Sequence, residues 1–226
     1  LENLRYDTLF LNLPTASEEQ IRRIALGETP QDAFERLREM EVLREPEDTQ
    51  MYGAMNPVLR YLKRISPSVA VHCFRDPVYH ELRRRTMVEL LHLAARSRSL
   101  DLREEQWLNV LTREVKTRMD FLEMDADNIE SRSGEMNVLV GASPGMRDVL
   151  RSRGMEVRVV EIERSVAPLE VLRREIWDAM TSGAEVPVER VRELVQEHLD
   201  FTDLIVRLGL DEAYGEWKER AAHRVR

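Results

Sequence analysis

Residues 137–145 read NVLVGASPG, and within them Gly141, Ser143 and Gly145 spell G-x-S-x-G. Three readings fit that spacing. In the first, a serine on a sharp strand-to-helix turn attacks a carbonyl, and the N–H of the next residue stabilises the oxyanion. Here the next residue is Pro144, which has no N–H, and the only downstream histidines are His198 and His223 in the helical tail. A serine hydrolase is therefore disfavoured. In the second reading the glycines let a phosphate or nucleotide approach the backbone, and the first N–H groups of the following helix attract negative charge. Arg147 falls in that first turn and adds a cation. Glu161 or Glu163, about 20 residues after Gly141, ends the next apolar run, where an acid accepts from ribose hydroxyls. In the third reading the glycines serve only the backbone angles of a tight turn.

Other residues have ligand chemistry. The stretch HCFRDPVYHE brings His72, Cys73, Asp76, His80 and Glu81 close in sequence. His72 and Cys73 point to opposite faces of a strand, so the candidate metal pair is Asp76 with His80. The alternative is that Asp76 starts a turn, His80 is a surface helix residue and Cys73 is a small buried hydrophobe. Glu89-x-x-His92 has the spacing of a carboxylate-bridged di-metal helix, but no second copy of that motif occurs. Arg83, Arg84 and Arg85 are spread around a helix by about 100° per residue, so ion pairs with neighbouring acids account for them better than a basic patch.

The elements that must position these residues follow from periodicity and punctuation. Residues 6–13, YDTLFLNL, read as a strand stopped by Pro14. Ser17 is the expected cap of a helix that Gly27 ends, and Thr29-Pro30 opens another. Residues 44–50 read as a loop and NPVLRYLKRI as a short helix. Residues 68–74, SVAVHCF, give a second strand. Two long helices follow, at about 77–97 and 102–131, the latter with Trp107, Leu111, Val115, Met119, Leu122, Ala126 and Ile129 as its core stripe. Asn137–Val140 and residues 157–162 are the third and fourth strands, separated by a short helix that Gly154 closes. From Pro168 onward the pattern is helical. The expected architecture is α/β: a small, mainly parallel sheet of about four strands in residues 1–164, a helical hairpin inserted at about 77–131, and a helical appendage over 165–226.

Composition bounds the partners. The chain has 226 residues, 42% hydrophobic and 34% charged, with a formal charge of −8. That is a globular profile, and the acidic balance makes nucleic acid an unlikely partner. No apolar run approaches the ~20 residues of a membrane span. Cys73 is the only cysteine, so an internal disulfide is impossible. The single cysteine makes a reducing cytoplasm the expected location; no signal-peptide pattern opens the chain, and the absence of an initiator methionine suggests trimming or an artificial boundary. Trp177 and Trp217 on the tail helices suit a homodimer interface as well as internal docking.

Two resemblances add expectations. The stretch VLVGASPGMRDVLRSRGMEVRVVEIE resembles the first motifs of class I methyltransferases that use S-adenosylmethionine, although residues 138–140 lack the acid those enzymes carry in the first strand. Over about 150 residues, YDTLFLNLP, GAMNPVLRYLKRISPSVAVHCF and NVLVGASPGMRDVLRSRGMEV occur in an order similar to the TraB/ChaN/erythromycin-esterase-like superfamily. That resemblance implies an α/β scaffold. It also implies lost metal chemistry, since Asn12 stands where the family has an acid and Pro144 where it has a histidine. The expected function is thus a non-catalytic ligand-binding or regulatory protein, with an anion or nucleotide at Gly141, Ser143, Gly145, Arg147 and Glu161. The alternatives are a methyltransferase-like enzyme and a helical assembly protein without a small-molecule ligand.

Overall fold

Six of the seven residues of β1 (Thr8–Pro14) are buried, and the half-exposed exception is Asn12 near its carboxyl end. Such a near-continuous apolar run belongs to the middle of a parallel sheet. The computed structural model, which describes residues 5–44, 48–99, 102–143, 145–160, 167–209 and 212–217, places β1 there. The strand order is β2-β1-β3, with β2 (Ala70–Arg75) and β3 (Asn137–Val140) both parallel to β1. The fold is α/β. In register, Leu9 stands between Val71 and Val138, and Leu11 between Cys73 and Val140. This face carries the main core, closed by Ile21 and Ile24 of α1 (Glu18–Ala25), Leu37 of α2 (Pro30–Glu39), and Leu59 and Leu62 of α3 (Thr49–Leu62). Each such aliphatic side chain contributes about 1.5–3 kcal/mol on burial. Phe10, on the opposite face, is also fully buried.

The start of α2 follows the sequence reading: Thr29 Oγ1 accepts from Asp32 N–H at 3.1 Å, with Pro30 in the first turn. Ser17 departs from it. Its hydroxyl makes no cap bond and instead pairs with buried Tyr52 at 2.8 Å, because Tyr52 needs a partner inside the core. α3 also begins earlier than expected, within the predicted loop, and runs through Pro57. The expected helix over 102–131 is two: α5 (Glu104–Asp120) and α6 (Leu122–Glu130), interrupted at Phe121, whose ring packs on Tyr79 at 5.6 Å. They follow α4 (Pro77–Ser99). The predicted fourth strand does not form over 157–160, and residues 161–162 lie outside the described residues. Val159 is more than half exposed and the Val157 carbonyl accepts from Arg151 (2.9 Å), so β-branched propensity there has no sheet partner to realise it. The short α7 (Met146–Ser152) precedes this segment.

β2 is an edge strand, and side chains occupy its free groups. Arg22 donates to the Val71 carbonyl (3.1 Å), Glu18 accepts from Cys73 N–H (3.0 Å), and Asn128 donates to the Phe74 carbonyl (3.1 Å). Edge groups answered in this way are closed to intermolecular pairing. At the amino ends of the strands, the Asp7 carboxylate accepts from Glu135 and Met136 N–H at 3.0 and 3.2 Å, tying the approach to β3 onto β1.

The chain divides into two compact units, Leu1–Met87 with Thr117–Val159, and Val88–Lys116 with Val160–Arg226. The first holds the sheet. The second is helical among its described residues and includes α8 (Pro168–Ser182) and α9 (Val188–Leu208), which pack on each other. Arg190 grips Glu175 (2.8 Å) and Arg173 grips Glu114 (2.9 Å). Trp107 is fully buried, edge-on to His198 at 6.2 Å, and donates to Ser97 Oγ at 3.0 Å. Trp217, expected at an interface or docked internally, is buried against Phe201 at 5.6 Å. Trp177 is half-buried.

Two outcomes follow from this packing. A Cβ on Gly134 would lie 2.2 Å from Asp7 Oδ1 and 2.7 Å from Thr8 Oγ1, so Gly134→Ala forces these two side chains to shift from the Thr8–Asp7 hydrogen bond and disturbs the carboxylate that holds Glu135 and Met136. A loss of about 1–3 kcal/mol is expected in urea denaturation, with unchanged far-UV circular dichroism. In the helical unit, burial, with Arg173 and Arg98 nearby, pushes the His198 imidazole down to about 4. The unfolded chain then takes the proton first. The stability contributed by neutral His198 is complete above about pH 6.5 and falls as the pH drops toward 4. Between pH 7 and 4.5 wild type should lose about 2–3 kcal/mol more than His198→Gln, measured by chemical denaturation at both pH values.

Candidate functional site at the carboxyl edge of the sheet

β1 connects to β2 on one side and β3 lies on the other, so the strand order reverses beside β1. In open parallel sheets, ligands bind outside the carboxyl ends of the strands at such a reversal. One polar side chain or turn from each strand meets there. Asn12 comes from β1, Arg75 from the last position of β2 where it pairs with Pro14, and Gly141 with Ser143 from the turn after β3.

Arg75 is the hub. It is 5% exposed and lies over the rings of Phe74 and Tyr79, with 5.4 and 5.0 Å from its guanidinium carbon to the centroids. Its Nε donates to Asn12 Oδ1, its Nη1 to Asp125 Oδ2, and its Nη2 to Ser143 Oγ. Asp125 is fully buried on α6 and also accepts from Asp76 N–H at 3.2 Å. Burial pushes the Asp125 carboxyl up, against the pull of Arg75 and of the Asp76 N–H. Asn12 faces both ways: its Nδ2 donates to the Gly141 carbonyl at 2.6 Å while its Oδ1 accepts from Arg75. Gly141 has φ +74°, and a Cβ there would sit 3.1 Å from Asn12 Cβ, so a side chain at 141 meets both a strained backbone and this contact. Gly141 and Ala142 are exposed and Asn12 is half-exposed, so one rim of the cluster reaches solvent.

The other predicted site residues are placed differently. Two of the amides expected to hold an anion are engaged by the protein itself: Met146 N–H bonds the Ser143 carbonyl (3.2 Å), and Asp148 N–H the Gly145 carbonyl (3.0 Å). Gly145, at φ +83°, turns the chain into α7. Arg147 is exposed and pairs with its neighbour Asp148 at 2.8 Å. Glu161 and Pro144 lie outside the described residues. Asp76 and His80, the metal candidates, have separate partners. Asp76 caps α4 by accepting from Val78 N–H (2.7 Å) and Tyr79 N–H (3.2 Å). His80 is buried with its Nε2 3.2 Å from Asp48 Oδ1 and 3.2 Å from Arg84 Nη2. Burial alone would raise the Asp48 carboxyl, but hydrogen bonds from His80, Arg84 and the Arg44 N–H outweigh it and hold it at about 2. Among the described residues no three His, Cys, Asp or Glu side chains are grouped to hold a metal ion. Arg84 and Arg85 of the basic run both pair with Glu81, as the sequence suggested.

Sequence reasoning missed Arg75 and Asp125. A signal was present for each. Arg75 is the charged residue that ends an apolar strand, and Asp125 occupies an inward position of the Leu122–Ala126–Ile129 stripe, where an acid must find a buried cation.

No family model matches the chain, and no similar curated protein or solved structure is found. Among the described residues, no helix is long and apolar enough to cross a membrane.

Removing one member of a buried ion pair leaves the other unanswered. Arg75→Leu is expected to cost about 3–5 kcal/mol in urea denaturation. Asp125→Leu should cost a similar amount, and the double variant clearly less than their sum. Additive losses would show that the pair is not coupled.

Proposed function

We propose that this chain is a non-catalytic ligand-binding or regulatory α/β protein. Its small polar ligand docks at the carboxyl edge of the sheet between β1 and β3, over Asn12, Gly141 and Ser143, with Arg75 beneath. The observation that carries this reading is the convergence of polar groups from all three strands at the reversal of strand order, with the Asn12–Gly141–Ala142 rim open to solvent. The TraB/ChaN-like pattern agrees with a scaffold that retains this edge without the family's acid. Asn12 both donates and accepts here, and an ionised aspartate has no proton to offer the Gly141 carbonyl. The Ser143 hydroxyl is held by a guanidinium rather than by a general base, which suits recognition better than nucleophilic attack.

A thermal-shift panel of nucleosides, nucleotides, S-adenosylmethionine, phosphate and small carboxylates tests the reading. At least one class should raise Tm by roughly 5 °C at about one hundred times its Kd. Gly141→Val, at a position that favours glycine and faces Asn12, should abolish that rise while the chain remains folded by circular dichroism. No rise with any compound, or an unchanged rise in folded Gly141→Val, overturns the proposal.

A further inference from the structure

Guanidinium carries five N–H groups. In Arg75 three protein oxygens accept from them, and only Asp125 is a carboxylate; Asn12 and Ser143 offer neutral oxygens. A cation in so dry a setting gains more from a charged acceptor than from a neutral one, because opposite full charges attract directly where the local dielectric is low. Of the two neutral acceptors, Ser143 is the more replaceable. Ser143 belongs to the turn between β3 and α7, beside exposed Ala142, whereas Asn12 and Asp125 are fixed on β1 and α6.

We infer that the group recognised at this edge is an oxyanion, a phosphate or a carboxylate, which docks on Arg75 by displacing the Ser143 hydroxyl. This rests on the ligand-binding reading above and names its chemistry. The exchange is hydrogen-bond replacement, with no covalent step. The incoming oxygens take the Nη2 edge of the fork, Asn12 keeps Nε, and Asp125 keeps Nη1. Asp125 already balances the guanidinium, so the liganded cluster gains one net negative charge and the affinity of the wild-type site is moderate. Two local changes should therefore strengthen binding. Loss of the Ser143 hydroxyl removes the internal competitor, and neutralising Asp125 removes the opposing charge.

Isothermal titration of the full chain at constant ionic strength, with sodium chloride as the balancing salt, tests this using inorganic phosphate, acetate, AMP and adenosine. Wild type should bind phosphate, acetate and AMP, with AMP clearly tighter than adenosine. Ser143→Ala should lower the Tm of the unliganded protein and bind phosphate about tenfold tighter, since a hydrogen bond to a charged group no longer has to be broken. Asp125→Asn should also tighten phosphate and serves as the readout if Ser143→Ala does not fold. Adenosine binding as well as AMP, with no binding of phosphate or acetate, overturns the oxyanion inference and leaves the ligand-binding reading standing. No binding by any compound removes both. Phosphate binding that is unchanged or weaker in folded Ser143→Ala and Asp125→Asn overturns the exchange.

Discussion

A guanidinium removed from water must be answered, and the answer given to Arg75 organises the carboxyl edge of this sheet. Its three side-chain partners sit on β1, α6 and the turn after β3, which are 63, 50 and 68 residues away in sequence. Satisfying them at once fixes the end of β2 against the other two strands, seats α6 beside β2, and holds the 141–143 turn inward. The guanidinium carbon also lies over the rings of Phe74 and Tyr79, which add cation–π attraction to the hydrogen bonds. The apolar residues drive collapse, and this polar cluster selects among the collapsed arrangements, because a misplaced strand end would strand a buried charge.

The same chemistry recurs where it is cheaper. Asp7 at the opposite end of the sheet and Glu18 beside β2 are carboxylates that answer backbone N–H groups. Arg153 on the surface collects Asp127 (2.6 Å) and Glu130 (2.9 Å), pairs of the kind that contribute little individually in water. An arginine-rich, lysine-poor chain suits both settings, since a planar fork can bond several oxygens in one plane. The difference between Arg75 and Arg153 is burial, and burial turns an exposed ion pair into a constraint on the fold.

That distinction separates what the sequence disclosed from what it hid. The three strands, the Thr29-Pro30 helix start and the glycine turn after β3 are local statements, written in alternation, capping and positive-φ residues, and the structure agrees with them. The residues at 157–160 carry the same local signal for a strand and do not form one, because strand formation also requires a neighbour to bond. The break at Phe121 was invisible for a related reason: the apolar stripe continues across it, and only the packing of Phe121 on Tyr79 marks it. Of the candidate site, Gly141 and Ser143 were legible as turn chemistry. Arg147 falls in the first turn of a helix, as the sequence reads, and its exposed guanidinium is taken up by the adjacent Asp148.

Asn12 shows how a single atom changes what this edge can do. A carboxylate at 12 beside Asp125 would give Arg75 two anions and leave the Gly141 carbonyl without its donor. The cluster would then repel negative ligands and loosen the turn. The amide reverses both effects. It accepts from the guanidinium without spending the cation's charge on a second anion, and its other end closes the crevice through the Gly141 carbonyl. An edge so arranged sets a neutral amide and a neutral hydroxyl, from Asn12 and Ser143, beside one carboxylate around the buried Arg75 guanidinium.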